Sequence, residues 1–565
     1  MDPPGGPSPT PAVDPPAPAS VVAHADTATA GSGIAFAALL LMLGNVLSRL
    51  LGLAREQLAA GLFGTGDAIA AFTIADNLQT LLFDLMASGA LQAALIPVLA
   101  HWAAPDAATR AELRRISGAL LALVLLIVGG AAVLGMVFAP SVVRAMTWFS
   151  RTPDARGPET FDLTVDLVRI VLPAAVLLSV GVVLQAMLFA LNRVAAPALA
   201  AAVRNAAIVA AAILLAGALG VRSMAWGTVV GALLIVAIQL WPLRRLGALP
   251  RFNLGFGHPA LRQMVVLYVP VFLGLLVNTV AVVADRGLAW GAGEQAVGAM
   301  RYATTLVQLV LGLVAAAISL AALPTLARHF GAGDDVAYRA TLGRAMALVT
   351  VLIFPAVFGL AALAWPAADL LFGHGATGAE GQRAITIALL GYLPGTLAAA
   401  FDQVLIFAFY ARLNTRTPVV VGVLAVAVYF AVALPLVAPL GMLGLVLANS
   451  AQFIAHTVVI YWLARRTFGW TGTPRLRLLI PRCAAAGAAM GAVVLLAWYG
   501  LDRLLPSAAG VGNLVRETAL VAAPVLLGGA VYLAFIARTS ARELELLRNA
   551  VVGRLGGVLG RRGRP

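Results

Sequence analysis

The segments AALIPVLAHW (Ala93 to Trp102) and AALPTLARHF (Ala321 to Phe330) are nearly the same sequence, and each closes a long apolar run. A second pair, FALNRVAAP (Phe189 to Pro197) and FYARLNTRTP (Phe409 to Pro418), recurs at a similar interval, about 225 residues and six apolar runs later. Six is even, so both copies enter a membrane in the same direction. The chain is therefore predicted to fold as two six-helix lobes related by a pseudo-twofold axis along the membrane normal.

Outward from these segments, apolar runs fall approximately at 34–55, 68–99, 116–138, 163–189, 198–219, 222–243, 263–290, 298–326, 342–364, 384–410, 418–437, 441–463, 480–500 and 516–537. Each has about the 20 residues that a spanning helix needs. The fold class expected is an all-α polytopic membrane protein of about 14 transmembrane helices, the last two outside the repeat. Its divisions are a disordered cytoplasmic tail at 1–32, an N-terminal lobe at 33–245, a C-terminal lobe at 260–465, helices 13 and 14 at 478–538, and a basic cytoplasmic tail at 539–565. The tail at 1–32 is rich in Pro, Ala, Gly and Ser and lacks the charged start and cleavable apolar core of a signal peptide.

Composition agrees. Of 565 residues 61% are apolar and 11% charged, against roughly 45–50% and 25% in soluble domains. All 38 basic residues are arginine. Without lysine the chain has neither a Walker-type phosphate site nor a Schiff base for pyridoxal chemistry. The lone Cys483 lies in an apolar run and reads as a packing residue. The histidines His24, His101, His258, His329, His374 and His456 show no zinc spacing, so no metal site is expected. The net charge of +14 does not point to nucleic acid, because 25 arginines lie in the connections after even-numbered spans and in the C-terminal tail, against seven in the opposite connections. That asymmetry places both termini in the cytoplasm.

Six arginines remain inside or at the edges of spans: Arg49, Arg55, Arg169, Arg204, Arg286 and Arg301. An arginine at the bilayer centre costs at least about 2.5–3.5 kcal/mol, so it faces a cavity or a partner. Arg49, Arg55, Glu56, Arg301 and Arg286 are the substrate-binding candidates. Arg49 and Arg55 stand about 240° apart around one helix and could line a cavity at two depths; the alternative for Arg55 and Glu56 is an interfacial pair that reaches the headgroups. Arg169 and Arg204 read as structural or interfacial. Asp285, Asp402, Asp76 and Asp84 are candidates for taking up a coupling proton or sodium ion, with structural salt bridges as the alternative for Asp285 and Asp402. Planar guanidinium forks suit a diphosphate, so an anionic substrate is expected.

The run Ser48-Arg49-Leu50-Leu51-Gly52-Leu53-Ala54-Arg55-Glu56, with Leu62-Phe63-Gly64-Thr65-Gly66 after it, resembles the opening helices of the MurJ/MviN lipid II flippases of the multidrug/oligosaccharidyl-lipid/polysaccharide exporter superfamily. The resemblance continues through Leu191-Asn192-Arg193, Asp285-Arg286 and Phe409-Tyr410-Ala411-Arg412, and covers roughly 33–470. It implies movement of the undecaprenyl-diphosphate-linked peptidoglycan precursor across the bacterial cytoplasmic membrane by alternating access, without covalent chemistry. It also implies that Arg49 and Arg55 hold the diphosphate, and that helices 13 and 14 form a groove for the polyprenyl tail. The family's arginine in span 8 falls at Thr305 here; Arg301 lies one turn earlier on the same face. Expected partners are lipid II or a related polyprenyl-diphosphate saccharide, membrane lipids and cell-wall synthesis enzymes, with a monomeric protein and no nucleic acid. No cofactor is expected, and a coupling cation is left open. The alternatives are an exporter of another polyprenyl-linked saccharide or amphiphile, and a nontransporting cell-wall scaffold.

Overall fold

The structure is a computed structural model that describes residues 27–87, 95–96, 98–103, 106–150, 156–469, 474–506 and 511–539. The first half comprises α1 (Thr27–Phe63), α2 (Asp67–Ala87), α3 (Ala107–Val124, continued through a π-turn at Leu125–Gly129 into Gly130–Val137), α4 (Ala139–Thr147), α5 (Gly157–Ala190), α6 (Ala195–Leu219) and α7 (Arg222–Arg245). The second comprises α8 (Pro259–Trp290), α9 (Ala296–Leu311, a π-turn at Gly312–Ala316, then Ala317–Gly331), α10 (Asp335–Ala362), α11 (Ala364–Phe372), α12 (Gly378–Ala411), α13 (Arg416–Leu440) and α14 (Met442–Phe468). Helices α15 (Pro474–Leu504) and α16 (Val511–Thr539) follow. Among the described residues eleven helices are long and apolar enough to cross a membrane, and the other three predicted spans fall on α1, α2 and α8.

The two halves share backbone detail as well as helix order. Helices α3 and α10 both start at an aspartate N-cap: Asp106 accepts from the Thr109 N–H and Asp334 from the Ala337 N–H, each at 2.8 Å. Such caps satisfy donors that a helix start otherwise leaves unpaired. Hydrogen bonding from Thr109 holds the Asp106 carboxyl below the usual aspartate range. Left-handed residues recur at a fixed interval, with Gly157 matching Gly378, Asn192 matching Leu413, and Gly220 matching Gly441, every pair 221 residues apart. Packing repeats too: α2 on α5, α5 on α7 and α6 on α7 correspond to α9 on α12, α12 on α14 and α13 on α14.

Several details differ from the sequence reading. The matched segments at Phe189 to Pro197 and Phe409 to Pro418 differ in length by one residue, and the left-handed turn pairs Asn192 with Leu413. The turn's hydrogen bonds set the register there, with Arg193 N–H donating to Leu188 C=O and Asn414 N–H to Phe409 C=O. The short helices α4 and α11 are not visible as apolar runs, because nine residues are too few to stand out beside a spanning segment. Residues 27–32, read as tail, belong to α1; with only two alanines among Thr, Gly and Ser their propensity is weak, and the helix there continues from the apolar run that follows, since propagation is easier than nucleation. Ala93, Ala94 and Pro97, residues 1–26 and residues 540–565 lie outside the described residues.

Helices α15 and α16 attach to the second half through α10, where the Tyr532 hydroxyl donates to Val351 C=O at 2.8 Å and Gly487 faces the Phe358 ring. Cys483 is fully buried among these helices. Helix α1 docks on α6 at Gly44, where a Cβ would stand 2.0 Å from the Ala198 carbonyl oxygen. Small residues permit such backbone approach between membrane helices. At Gly52, two turns on, a Cβ would meet only the Asn205 side chain at 3.5 Å. Gly44→Val is therefore expected to destabilise the protein by about 1–3 kcal/mol through overpacking, and Gly52→Ala to be nearly neutral. Thermal unfolding of the detergent-solubilised protein checks this; equal midpoints for the two variants would contradict the packing.

Candidate substrate-binding site

Glu56, two turns before the C-terminal end of α1, is 2% exposed and receives guanidinium groups from both halves of the chain. Arg301 on α9 approaches it as a fork, with Nε donating to Oε2 at 2.8 Å and Nη2 to Oε1 at 2.9 Å. This bidentate geometry is the strongest that an arginine and a carboxylate form. Arg55 donates to the same Oε1 from Nε at 3.0 Å and Nη2 at 2.6 Å. The remaining nitrogen of Arg301 donates to Asp76 on α2 at 3.1 Å, and its guanidinium lies 5.2 Å from the centre of the Phe72 ring, a cation–π distance. Two carboxylates thus balance two guanidinium groups away from bulk water, where breaking one partner is expensive.

Arg55 is anchored from the other side by Asn205 of α6, whose Oδ1 accepts from Nη1 at 3.2 Å while Nδ2 donates to Ser48 C=O at 3.0 Å. Arg49 lies about 9 Å further along α1. Its Nη1 donates to Gln308 C=O at 3.3 Å, and its guanidinium occupies the space above Gly312, where a Cβ would stand 2.0 Å from Nη1. Gly312 opens the π-turn of α9, a distortion that often marks functional positions. Arg49 and Arg301 therefore both lie between the two halves. Thr305, where the resemblance puts the family's arginine, donates its hydroxyl to Arg301 C=O at 3.1 Å.

The sequence candidates divide into three groups. Arg55, Glu56, Arg301 and Asp76 come together, Arg49 lies about 9 Å along α1 on the Gln308 carbonyl, and Asp84 stands at the edge, in Coulombic range of Arg204. The interfacial alternative for Arg55 and Glu56 does not match this geometry. Arg286 is elsewhere: with Asp285 at 3.6 Å and the Tyr429 hydroxyl on Asp285, it forms a group between α8 and α13. Asp402 is paired with His456 Nδ1 at 2.6 Å between α12 and α14. Asn205, Thr73 and Gln308 complete the central cluster without having been singled out as contacts. An asparagine within an alanine-rich span was the available signal for Asn205.

One end of the space between the halves is sealed, the end carrying the α1–α2, α3–α5, α8–α9 and α10–α12 connections. Tyr302 donates to Gly64 C=O at 2.9 Å and stacks on Phe372 at 5.0 Å between centroids. Thr377 donates to Ala60 C=O at 3.0 Å. Arg156 ties the α3–α5 connection to the opposite half, donating to Asp67 at 2.6 Å, Trp290 C=O at 3.1 Å and Gly293 C=O at 2.8 Å. Gly64 has φ +67°, and a Cβ there would stand 2.5 Å from Ala376 C=O, so the close approach requires glycine. Met42 and Leu43 of α1 and Leu313 and Leu320 of α9, further from the seal, are more than half exposed.

A repeated helical bundle with ion pairs between its halves and a seal at one end defines a multi-pass membrane transporter. The family model described as lipid II flippase MurJ matches residues 59–518, and the chain belongs to that family. The match starts just after Glu56, so the α1 part of the cluster stands on its own geometry. The probable lipid II flippase MurJ of Haemophilus influenzae is 27% identical over 471 residues, covering 80% of this chain and 90% of its own. The lipid II flippase MurJ of Burkholderia cenocepacia is 29% identical over 402 residues, covering 69% and 76%. Among solved structures, a lipid II flippase MurJ in an inward closed conformation superposes with TM-score 0.74 at 19% identity, covering 90% of this chain and all of that one. An inward-facing MATE transporter of the MOP superfamily superposes at 0.62 and 15% identity, covering 76% and 95%.

Removing Glu56 strands two guanidinium groups. Glu56→Ala is expected to destabilise by about 3–5 kcal/mol, and the double variant Glu56→Ala/Arg301→Met by less than the sum of the single changes. A double-mutant cycle on unfolding midpoints measures the coupling; additive effects would mean that the two side chains do not interact.

Proposed function

We propose that this protein moves lipid II, the undecaprenyl-diphosphate-linked peptidoglycan precursor, across the bacterial cytoplasmic membrane as a flippase, by alternating access and without covalent chemistry. The observation that carries the reading is the meeting of Arg55 of one half with Arg301 of the other on a single carboxylate, Glu56, with Arg49 about 9 Å away along α1 and held on the Gln308 carbonyl. A diphosphate brings the oxygens that guanidinium forks bind best. In the ligand-free protein Glu56 supplies that negative charge, so the arginines stay oriented and neutralised. The incoming diphosphate displaces Glu56, whose release loosens the tie between the halves. Substrate binding thereby favours the other conformation by its differential affinity for the two states.

The arginine excess after even-numbered spans supports a cytoplasmic location for both termini and an outward-facing Arg156 seal. The carboxylates considered for a coupling cation divide by surroundings. Asp76 already serves as counter-ion to Arg301, whereas Asp84 near Arg204, Asp402 with His456 and Asp285 with Tyr429 are the groups left for ion coupling. Members of this family carry lipid II in their name, and the substrate assignment rests on that membership.

Complementation of a flippase-depleted bacterium tests the reading. Wild-type protein is expected to restore growth, and Arg49→Ala and Arg301→Ala to fail at equal membrane abundance. Failure of well-expressed wild type would move the assignment to export of another polyprenyl-linked saccharide, and growth with both arginine variants would favour a nontransporting scaffold.

A further inference from the structure

Arg204 is the unassigned charge of the central region. It lies on α6 directly before Asn205, the residue that anchors Arg55. The sequence alone suggests a structural or interfacial role, but its environment is the inside of the first half. Its Cα and Cγ pack on Gly231 of α7, where a Cβ would stand 3.1 Å from each. The charge is in Coulombic range of Arg55, Asp76, Arg301 and Asp84. Among the described residues its guanidinium has neither a hydrogen bond nor a salt bridge.

That state contrasts with its neighbours. The donors of Arg55 and Arg301 are taken by Glu56, Asp76 and Asn205, and Arg49 donates to a carbonyl. Three guanidinium groups, Arg55, Arg301 and Arg204, stand with three carboxylates, Glu56, Asp76 and Asp84, and Arg49, about 9 Å along α1, adds a fourth positive charge on the Gln308 carbonyl. A guanidinium offers five donors in a fixed fork and stays charged. Held on a short α6–α7 contact beside a second arginine, it is placed to receive an anion before any existing ion pair opens.

We propose that Arg204 is a specificity-determining residue, the first guanidinium to bind the substrate's diphosphate, and that with Arg55 it distinguishes a lipid diphosphate from a monophosphate. The inference rests on the flippase reading. One phosphate group is satisfied by Arg204 alone; the second reaches Arg55 and competes with Glu56. Engagement of Arg204 thus precedes disruption of the cluster between the halves.

The test is binding of undecaprenyl diphosphate and undecaprenyl phosphate to the full-length protein in nanodiscs, with dissociation constants measured for wild type, Arg204→Gln, Arg204→Lys and the control Arg169→Gln. Wild type is expected to prefer the diphosphate. Arg204→Gln should weaken diphosphate binding about tenfold, the loss of one charge-assisted contact, and reduce the preference, while Arg204→Lys restores part of it and Arg169→Gln matches wild type. Equal diphosphate preference in wild type and Arg204→Gln overturns the inference and leaves the flippase reading intact. Parallel loss of both lipids together with a lowered melting midpoint in both Arg204 variants makes the role structural and also overturns it. Absence of a diphosphate preference in wild type removes the proposed function itself.

Discussion

A carboxylate sequestered between guanidinium groups from opposite halves of a membrane protein governs the rest of this structure. Glu56 cannot stay ionised in such a place without partners, and Arg301 cannot stay there without Glu56. Each charge is tolerable only while the halves are together at this level, so the electrostatics of one residue is linked to the relative position of two helical bundles. The same pair leaves Arg301 aimed at the point where a substrate's negative charge can take over from Glu56.

The remaining architecture holds that point in place. Gly44 lets α1 lie directly on the α6 backbone, which brings Asn205 to Arg55. The π-turn at Gly312 gives room to Arg49. The seal built from Gly64, Tyr302, Thr377 and Arg156 closes one end of the boundary between the halves. Its members are mainly backbone carbonyls with a few side-chain donors, contacts that can be given up to water singly as the halves rock.

Much of this was legible in the sequence. The number and order of the long helices follow from apolar run lengths, and the repeat from two short segment pairs, because bilayer thickness dictates the former and common descent of the halves preserves the latter. The cluster was partly legible, since an arginine in an apolar span advertises a partner: Arg49, Arg55, Glu56, Arg301 and Asp76 were identified that way. What the sequence did not disclose is which charges meet. Arg286 looked equivalent to Arg301 in one dimension, yet the α8–α9 turn sends it to Asp285 and Tyr429. Arg204 looked interfacial because its neighbours in sequence are small and apolar, and its position depends on the packing of α6 against α1 and α7. The register of the Leu413 turn was likewise hidden, because backbone hydrogen bonding decides it and side-chain similarity does not.

The most direct test of the account is a cryo-electron microscopy structure of the full-length protein in nanodiscs with undecaprenyl diphosphate bound. The account predicts phosphate density among Arg49, Arg55 and Arg301, with the Glu56 carboxylate moved out of hydrogen-bonding distance of Arg301. Diphosphate bound elsewhere, with the Glu56–Arg301 fork intact, would contradict it.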